Sequence, residues 1–240
     1  MLVLIADIVS GHLAVGESLP RETDLASRFR VSRGVARECI RGLEERGLVT
    51  VKHGRGATVS PEADWDLFSP DVLRAVLQGP RGATVLGEYL ECRRILEITA
   101  AGLAAERASA DDLAELSDAL ERMRVAAERA AVSGAAEDLY HEADIAFHDA
   151  VIRATGNRAL ACMTEPIHRA LATARRPLAR PDVRLVRSIP EHRQILTAIA
   201  AGDAETARES MRAHLATVEE YLREYARDRA GERPAHEADV

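Results

Sequence analysis

Apolar positions along this chain change their period twice. Up to about residue 47, and again beyond Val85, they recur every three or four residues, as in helices that bury one face. Between Leu48 and Val59 they alternate. The alternation predicts two short strands, Leu48 to Val51 and Ala57 to Val59, around a basic tip, Lys52-His53-Gly54-Arg55-Gly56, whose glycines permit positive φ. Upstream, Arg21 to Phe29 is predicted as a helix that buries Leu25, Ala26 and Phe29, with Val31 plugging the turn after it. The next helix runs from Arg33 to Arg46, capped by Ser32 and ended by Gly47, where the chain must leave in a left-handed conformation. Within it Ala36, Cys39, Ile40 and Leu43 form one buried stripe, while Arg33, Arg37 and Arg41 follow one another every fourth residue on an adjacent side. Two helices joined by a tight turn and followed by a hairpin are the elements of a winged helix-turn-helix. In that motif the N-terminal residues of the second helix meet base edges in the major groove of DNA.

From Ser60 to about Thr84, Pro61, Pro70, Gly79, Pro80 and Gly82 punctuate one short apolar piece. This predicts a linker with a small helix at Pro70 to Gln78, packed through Trp65, the chain's single tryptophan. Further on, helices are predicted near 85–108, 111–132, 136–154, 157–174, 186–201 and 204–228, divided by Asp111-Asp112, Gly134, Gly156-Asn157, the Pro177 to Pro181 stretch and Gly202-Asp203. No strand pattern interrupts them. The expected fold is therefore mainly α: an N-terminal winged helix-turn-helix with a small β-hairpin wing, then an all-α bundle of six or seven helices, large enough to enclose a cavity. The expected division is 1–60 for the head, 61–84 for the linker, 85–230 for the bundle and 231–240 for a disordered tail.

Charge divides the chain in the same way. Residues 1–60 hold 9 Lys+Arg against 7 Asp+Glu, or +2, and the remainder 23 against 32, or −9, which sums to the net −7. Only the head tolerates a polyanion. No apolar run reaches the eighteen residues of a membrane span, and Leu2 to Ile5 is too short for a signal peptide. Cys39, Cys92 and Cys162 have no paired spacing, which points to reduced thiols in a cytoplasm.

The informative bundle residues are polar groups on apolar stripes. Asp144 and His148, one helical turn apart, lie with Phe147 and Val151; His192 lies with Ile195, Leu196 and Ile199; His214 lies with Met211, Val218 and Leu222. A single histidine so placed is ordinarily a satisfied core residue. Four such groups facing one interior are costly to bury without partners, and a cation satisfies all four. His141, one turn before Asp144, competes with His148 for this role.

The head resembles the winged helix of the GntR family of bacterial transcription regulators. The match is carried by Gly11, Leu13, Gly16, Leu19, Pro20, Glu22, Leu25, Ala26, Val31, Ser32, Arg33, Arg37, Glu38, Leu43, Gly47, Leu48, Val49, Gly54, Gly56 and Val59. The resemblance implies that Arg33, Gly34, Val35 and Arg37 meet base edges or flanking phosphates. It also implies that Lys52, His53, Gly54 and Arg55 form the wing contact, with His53 and Gly54 entering the minor groove. Arg21, Thr23 and Ala36 depart from the family pattern, which leaves the operator sequence open. The first helix begins almost at Met1, where relatives carry several more residues, which points to an upstream start.

Asp144-x-x-Phe147-His148, Glu191-His192-x-x-Ile195 and His214-Leu215 resemble the FCD ligand-binding domain of the FadR-like branch of that family. In its metal-containing members an aspartate and three histidines from three helices hold a divalent ion, which implies Asp144, His148, His192 and His214 here. Zinc is the first choice for such a set, with nickel and manganese as alternatives. The segment Glu91 to Glu97 is similar to a family pattern whose arginine points into the cavity. That implies Arg93 as an anchor for an effector carboxylate, beside the plainer alternative that Arg93 pairs with Glu97 along its own helix. Arg176 is the candidate for a second anion contact.

Together the resemblances imply a cytoplasmic, non-enzymatic transcription regulator, acting as a homodimer on a palindromic double-stranded DNA operator and controlled by a small organic acid. The segment Trp65 to Leu73 looks like the linker of relatives that respond to sugar acids, which points to aldonates or hexuronates, and repression is the family's commoner mode. Two alternatives stand beside this. A metal-free acyl-CoA-type sensor is opposed by the retained histidines. A metal-dependent hydrolase is opposed by the lack of a general base at defined spacing, and leaves the winged helix without a purpose.

Overall fold

The computed structural model describes residues 1–52, 56–133, 137–175 and 184–230, with side chains over 1–52, 56–130, 138–169 and 188–220. His53, Gly54 and Arg55 of the expected wing tip, Arg176 and the expected tail 231–240 lie outside the described residues. The chain forms two compact units, Met1–Val85 and Leu86–Val240.

The first unit is built from α1 (Leu2–Val9), α2 (Glu22–Phe29), α3 (Arg33–Glu45), strands β1 (Val49–Lys52) and β2 (Gly56–Val59), a 3-10 turn at Glu62–Asp64 and α4 (Pro70–Gln78). The strands pair antiparallel with Val49 opposite Val59 and Lys52 opposite Gly56. A third segment runs along β2, where Ser18 bridges Thr58 and the Leu19 amide donates to the Ala57 carbonyl at 2.8 Å. Leu4, Ile5 and Ile8 of α1, Leu25 of α2, Leu43 of α3, Leu48, Val59 and Leu73 of α4 are buried and make the core.

Helix ends follow local chemistry. Ser32 Oγ accepts the Val35 amide at 3.2 Å and starts α3, whereas Arg21, ahead of α2, makes no side-chain cap bond. Helix α2 ends through Arg30 in the left-handed region, φ 54°. This bears on two expectations that fail. Phe29 is 37% and Val31 40% exposed, so neither fills the turn. The helix stops at Phe29 and the backbone turns away at once, leaving the ring at the surface with the Arg28 guanidinium 5.1 Å above it. Leu25 and Ala26 alone carry the packing of α2.

Gly47 ends α3 in a Schellman arrangement: its amide donates to Glu44 and that of Leu48 to the Leu43 carbonyl, with φ +69°. A Cβ there would lie 1.9 Å from the Asp64 carbonyl oxygen, so two backbone segments meet at a point only glycine permits. Gly47→Ala is expected to destabilise the full-length protein by on the order of 2–4 kcal/mol, read as a lower thermal midpoint of the first unit's transition. A midpoint unchanged from wild type would contradict this packing.

The second unit's described residues hold six helices: α5 (Gly82–Arg107), α6 (Ala110–Ser133), α7 (Glu137–Ala154), α8 (Arg158–Arg175), α9 (Arg184–Ala200) and α10 (Ala204–Ala230). Their starts are chemically marked. Ser109 and Asp112 form a reciprocal capping box, Asn157 Oδ1 accepts the amides of Ala159 and Leu160, and Asp203 Oδ1 accepts that of Thr206. The core joins large side chains, Leu116, Met123, Phe147, Ile195 and Met211, to alanines such as Ala100, Ala104 and Ala119, whose small size lets helix backbones approach. Among the described residues no helix is long and apolar enough to cross a membrane. Cys39, Cys92 and Cys162 are unpaired.

Candidate metal centre and nucleic-acid face

Arg33, Gly34, Val35 and Arg37 are exposed at the N-terminal half of α3, and Lys52 is exposed at the end of β1. Among the described residues Arg33 and Arg37 make no ion pair, whereas Arg41 joins Glu45 at 3.2 Å. Val35 is also exposed, at 54%. The wing is tied to this helix by Glu44, whose Oε1 accepts the Val51 amide at 3.1 Å.

In the second unit α7 supplies Asp144 and His148 one turn apart, α9 supplies His192 and α10 supplies His214. All four are buried, and one ligand atom from each lies within 4.8 Å of the others. His141 is not one of this set. The imidazoles crowd together, with ring centroids 4.2 Å apart for His192 and His214 and 5.3 Å for His148 with either. Phe147 packs edge-on against His192 at 4.9 Å and closes one side. Asp144 Oδ1 is 3.2 Å from His192 Nε2 and 3.9 Å from His148 Nε2.

Each imidazole turns Nδ1 outward to an acceptor. His192 Nδ1 donates to the Ser188 carbonyl at 2.8 Å, and His214 Nδ1 to Glu191 Oε2 at 2.8 Å. His148 Nδ1 lies 2.6 Å from Glu97 Oε2, a close contact whose angle falls short of a hydrogen bond. A carbonyl or a carboxylate can only accept, so the proton of a neutral His192 or His214 sits on Nδ1 and the Nε2 lone pair faces the common centre, and the carboxylate beside His148 Nδ1 favours the same tautomer there. All three Nε2 atoms are buried without a hydrogen-bond partner. Leaving such an atom unsatisfied costs about 1–3 kcal/mol each. Three imidazole lone pairs and a carboxylate, each ring backed by an acceptor, fit a divalent cation of the zinc type.

Around this centre lies a second set of charges. Arg93 and Glu97, both on α5 and at most 2% exposed, pair at 2.5 Å through Nε and Oε1, so the Arg93–Glu97 alternative is the one present. Arg93 Nη1 is nonetheless buried without a partner. His168 of α8 bridges Glu97 Oε1, at 2.8 Å, and Asp149 Oδ1, at 2.5 Å.

Burial opposes ionisation of Glu97, but Arg93, His148 and His168 outweigh it and hold this carboxyl well below its usual range. Asp144 behaves alike: burial raises it, and the imidazoles of His192 and His148 with the Arg93 guanidinium bring it far down. Burial lowers His148 and His214, so both stay neutral and able to ligate. For His168 burial also favours the neutral form, but its bonds to Asp149 and Glu97 prevail and push it up to about 9.

Residues 3–59 match the bacterial regulatory proteins of the gntR family, and residues 88–217 match the FCD domain. The chain is 33% identical over 226 residues to the Bacillus subtilis HTH-type transcriptional regulator LutR, covering 91% of this chain and 97% of that protein. It belongs to the GntR family, in the branch with an FCD domain. This GntR regulator is also 29% identical over 225 residues to the galactonate operon transcriptional repressor of Escherichia coli, covering 93% of this chain and 95% of that one. To the Escherichia coli Uxu operon transcriptional regulator it is 30% identical over 219 residues, covering 88% and 80%. Among solved structures, a Listeria monocytogenes agr-system regulator, Lar, superposes with a TM-score of 0.60 at 20% identity, over 92% of this chain and 94% of that one. Escherichia coli McbR/YncC does so at 0.54 and 23% identity, over 93% and 95%. These two agree in fold. The winged helix of a GntR regulator binds DNA and the FCD domain takes a small-molecule effector.

Sequence reasoning did not place Glu97 at the centre of this regulator's polar network, and it overlooked His168, Asp149, Ser188 and Glu191. Glu191 precedes His192 and Asp149 follows His148, so adjacency was the available signal for two of them. His168 contributes through a contact across helices, which no spacing reveals.

The raised affinity of His168 for its proton sets a sign. A histidine bound more tightly to its proton when folded stabilises fully below its unfolded value, about 6.5. That contribution is lost as pH rises through about 9. Denaturant unfolding of the metal-free full-length protein should therefore show the second unit losing up to roughly 3 kcal/mol between those limits. His168→Gln should flatten that slope, and equal slopes in the two proteins would remove the charge from His168.

Proposed function

We propose that this regulator's hold on its operator is set by a small carboxylate bound at a divalent cation, with Asp144, His148, His192 and His214 as the ligands. The observation that carries the reading is the convergence of three partnerless imidazole Nε2 atoms on one buried carboxylate. Zinc suits this N3O set, with nickel and manganese next. The cation supplies a Lewis-acidic anchor for an oxygen of the effector.

Arg93 supports an anionic effector. A divalent cation with Arg93 and His168 is balanced by the carboxylates of Glu97, Asp144, Asp149 and Glu191, so the case for an anion rests on the guanidinium. Arg93 keeps Nε on Glu97 and offers its partnerless Nη1 to the effector carboxylate. Likeness to the galactonate operon repressor favours a sugar acid, an aldonate or a hexuronate, and favours repression. Arg176 is the second anion contact in this reading.

In the head, residues 1–60, Arg33, Gly34, Val35 and Arg37 meet base edges or flanking phosphates, while Lys52, His53, Gly54 and Arg55 form the wing contact, with His53 and Gly54 in the minor groove. The helical domain, 85–230, carries the effector and joins two chains into a homodimer over a palindrome, in the cytoplasm. The linker, 61–84, transmits the change. A tenfold shift in operator occupancy needs about 1.4 kcal/mol of difference in effector affinity between two arrangements of the dimer.

The test is metal analysis of the purified protein followed by gel shifts on the gene's own upstream region, with and without galactonate or a hexuronate. Wild type should carry about one ion per chain, release DNA on adding the acid, and lose operator affinity steeply with salt. His148→Ala combined with His192→Ala should lose the ion and the response while still retaining DNA, and a response that survives would overturn the effector site. Arg33→Ala should abolish specific retention with metal content unchanged. Wild-type gel shifts from that variant would take Arg33 off the DNA face.

A further inference from the structure

The polar contacts around Glu97 close into a loop across three helices. His148 of α7 faces Glu97 of α5, Glu97 meets His168 of α8, and His168 returns to Asp149, the residue after His148 on α7. Glu97 Oε1 takes Arg93 Nε and His168 Nε2, leaving Oε2 for the ring of His148. The three imidazoles of the cation site therefore differ in what orients them. His192 uses a backbone carbonyl, His214 uses a carboxylate that is 26% exposed, and His148 uses a carboxylate that is 1% exposed. Water has no way to replace Glu97 where it lies.

We infer that Glu97 is a positioning residue for the cation site. It holds the proton of His148 on Nδ1 and so aims the Nε2 lone pair at the ion, while His168, tethered to Asp149, keeps Glu97 in that rotamer. The inference rests on the cation reading given above. The chemistry behind it is the tautomer. A neutral imidazole has one N–H and one lone pair, and an acceptor-only carboxylate 2.6 Å from Nδ1 repels a lone pair there and so favours the N–H, although the contact falls short of hydrogen-bond geometry. An amide in the same place must spend its oxygen on Arg93 and His168, which are both donors. It then presents N–H to His148, moves the histidine's proton to Nε2, and turns N–H instead of a lone pair toward the centre.

The experiment compares full-length wild type with Glu97→Gln. In chelator-treated, 15N-histidine-labelled protein, two-bond N–H correlation spectra report the tautomer, with His148 identified by the signals lost in His148→Gln. Wild type should show His148 protonated at Nδ1, and Glu97→Gln should show it wholly or partly at Nε2. Zinc affinity, measured by competition with a chromophoric chelator, should fall 10- to 100-fold in Glu97→Gln. In His168→Gln it should fall less, with the Nδ1 tautomer retained. Glu97→Gln zinc affinity within twofold of wild type with an unchanged tautomer would overturn the inference. Should Glu97→Gln not fold, the wild-type spectrum decides, because an Nε2 proton on His148 in the metal-free protein overturns it unaided. Wild type that binds no zinc, yet keeps the Nδ1 proton, would instead defeat the cation reading and leave the hold of Glu97 on His148 standing.

Discussion

A carboxylate buried among helices must be ionised against its own desolvation or give up its charge, and Glu97 is held ionised by Arg93, His168 and His148 around it. That constraint organises the second unit. Arg93, one turn away on α5, supplies the nearest positive charge; His168 brings in α8; His148 brings in α7. None of these groups would be tolerable alone at this depth. Together they turn an expensive set of burials into a network with a defined geometry, and that geometry places Asp144, His192 and His214 around a common centre.

The apolar framework permits this arrangement without causing it. Alanines along α5, α6 and α7 let the helices close on one another, and Leu116, Met123 and Met211 fill the core. Such packing fixes the distance between helices but tolerates rotation about their axes. Polar contacts are directional and do not. The loop from His148 through Glu97 and His168 to Asp149 pins the rotation of α7, and the bonds of His192 to Ser188 and of His214 to Glu191 orient those two rings. In the first unit a comparable constraint is steric, since Gly47 is the only residue type that fits where the end of α3 meets the Asp64 backbone.

Much of this was legible in the sequence because helices write their buried face at a fixed period. The cap at Ser32, the exit at Gly47, the strands around Lys52 and the starts near Asp112, Asn157 and Asp203 are local chemistry, and local chemistry survives in sequence. The candidate ligands were legible too, since a histidine on an apolar stripe contradicts its surroundings. Phe29 and Val31 were misplaced because periodicity says which face a residue shares and not whether another element covers it. Glu97 was seen only as a partner for Arg93, one turn away on its own helix. Its contacts with His148 and His168 span 51 and 71 positions, and no periodic signal connects residues so far apart.

The three backing acceptors also differ in how freely they can give way. A backbone carbonyl, as at Ser188, moves only with its helix. Glu191 is partly exposed, so solvent can take over its bond to His214 at little cost. Glu97 has neither recourse, and its Oε1 is shared with a guanidinium, that of Arg93, whose Nη1 is buried without a partner. Whatever neutralises Arg93 must therefore act on Glu97, and through it on His148. His148 is thus an imidazole joined to Arg93 through a shared carboxylate, and a change in charge at that guanidinium is felt there.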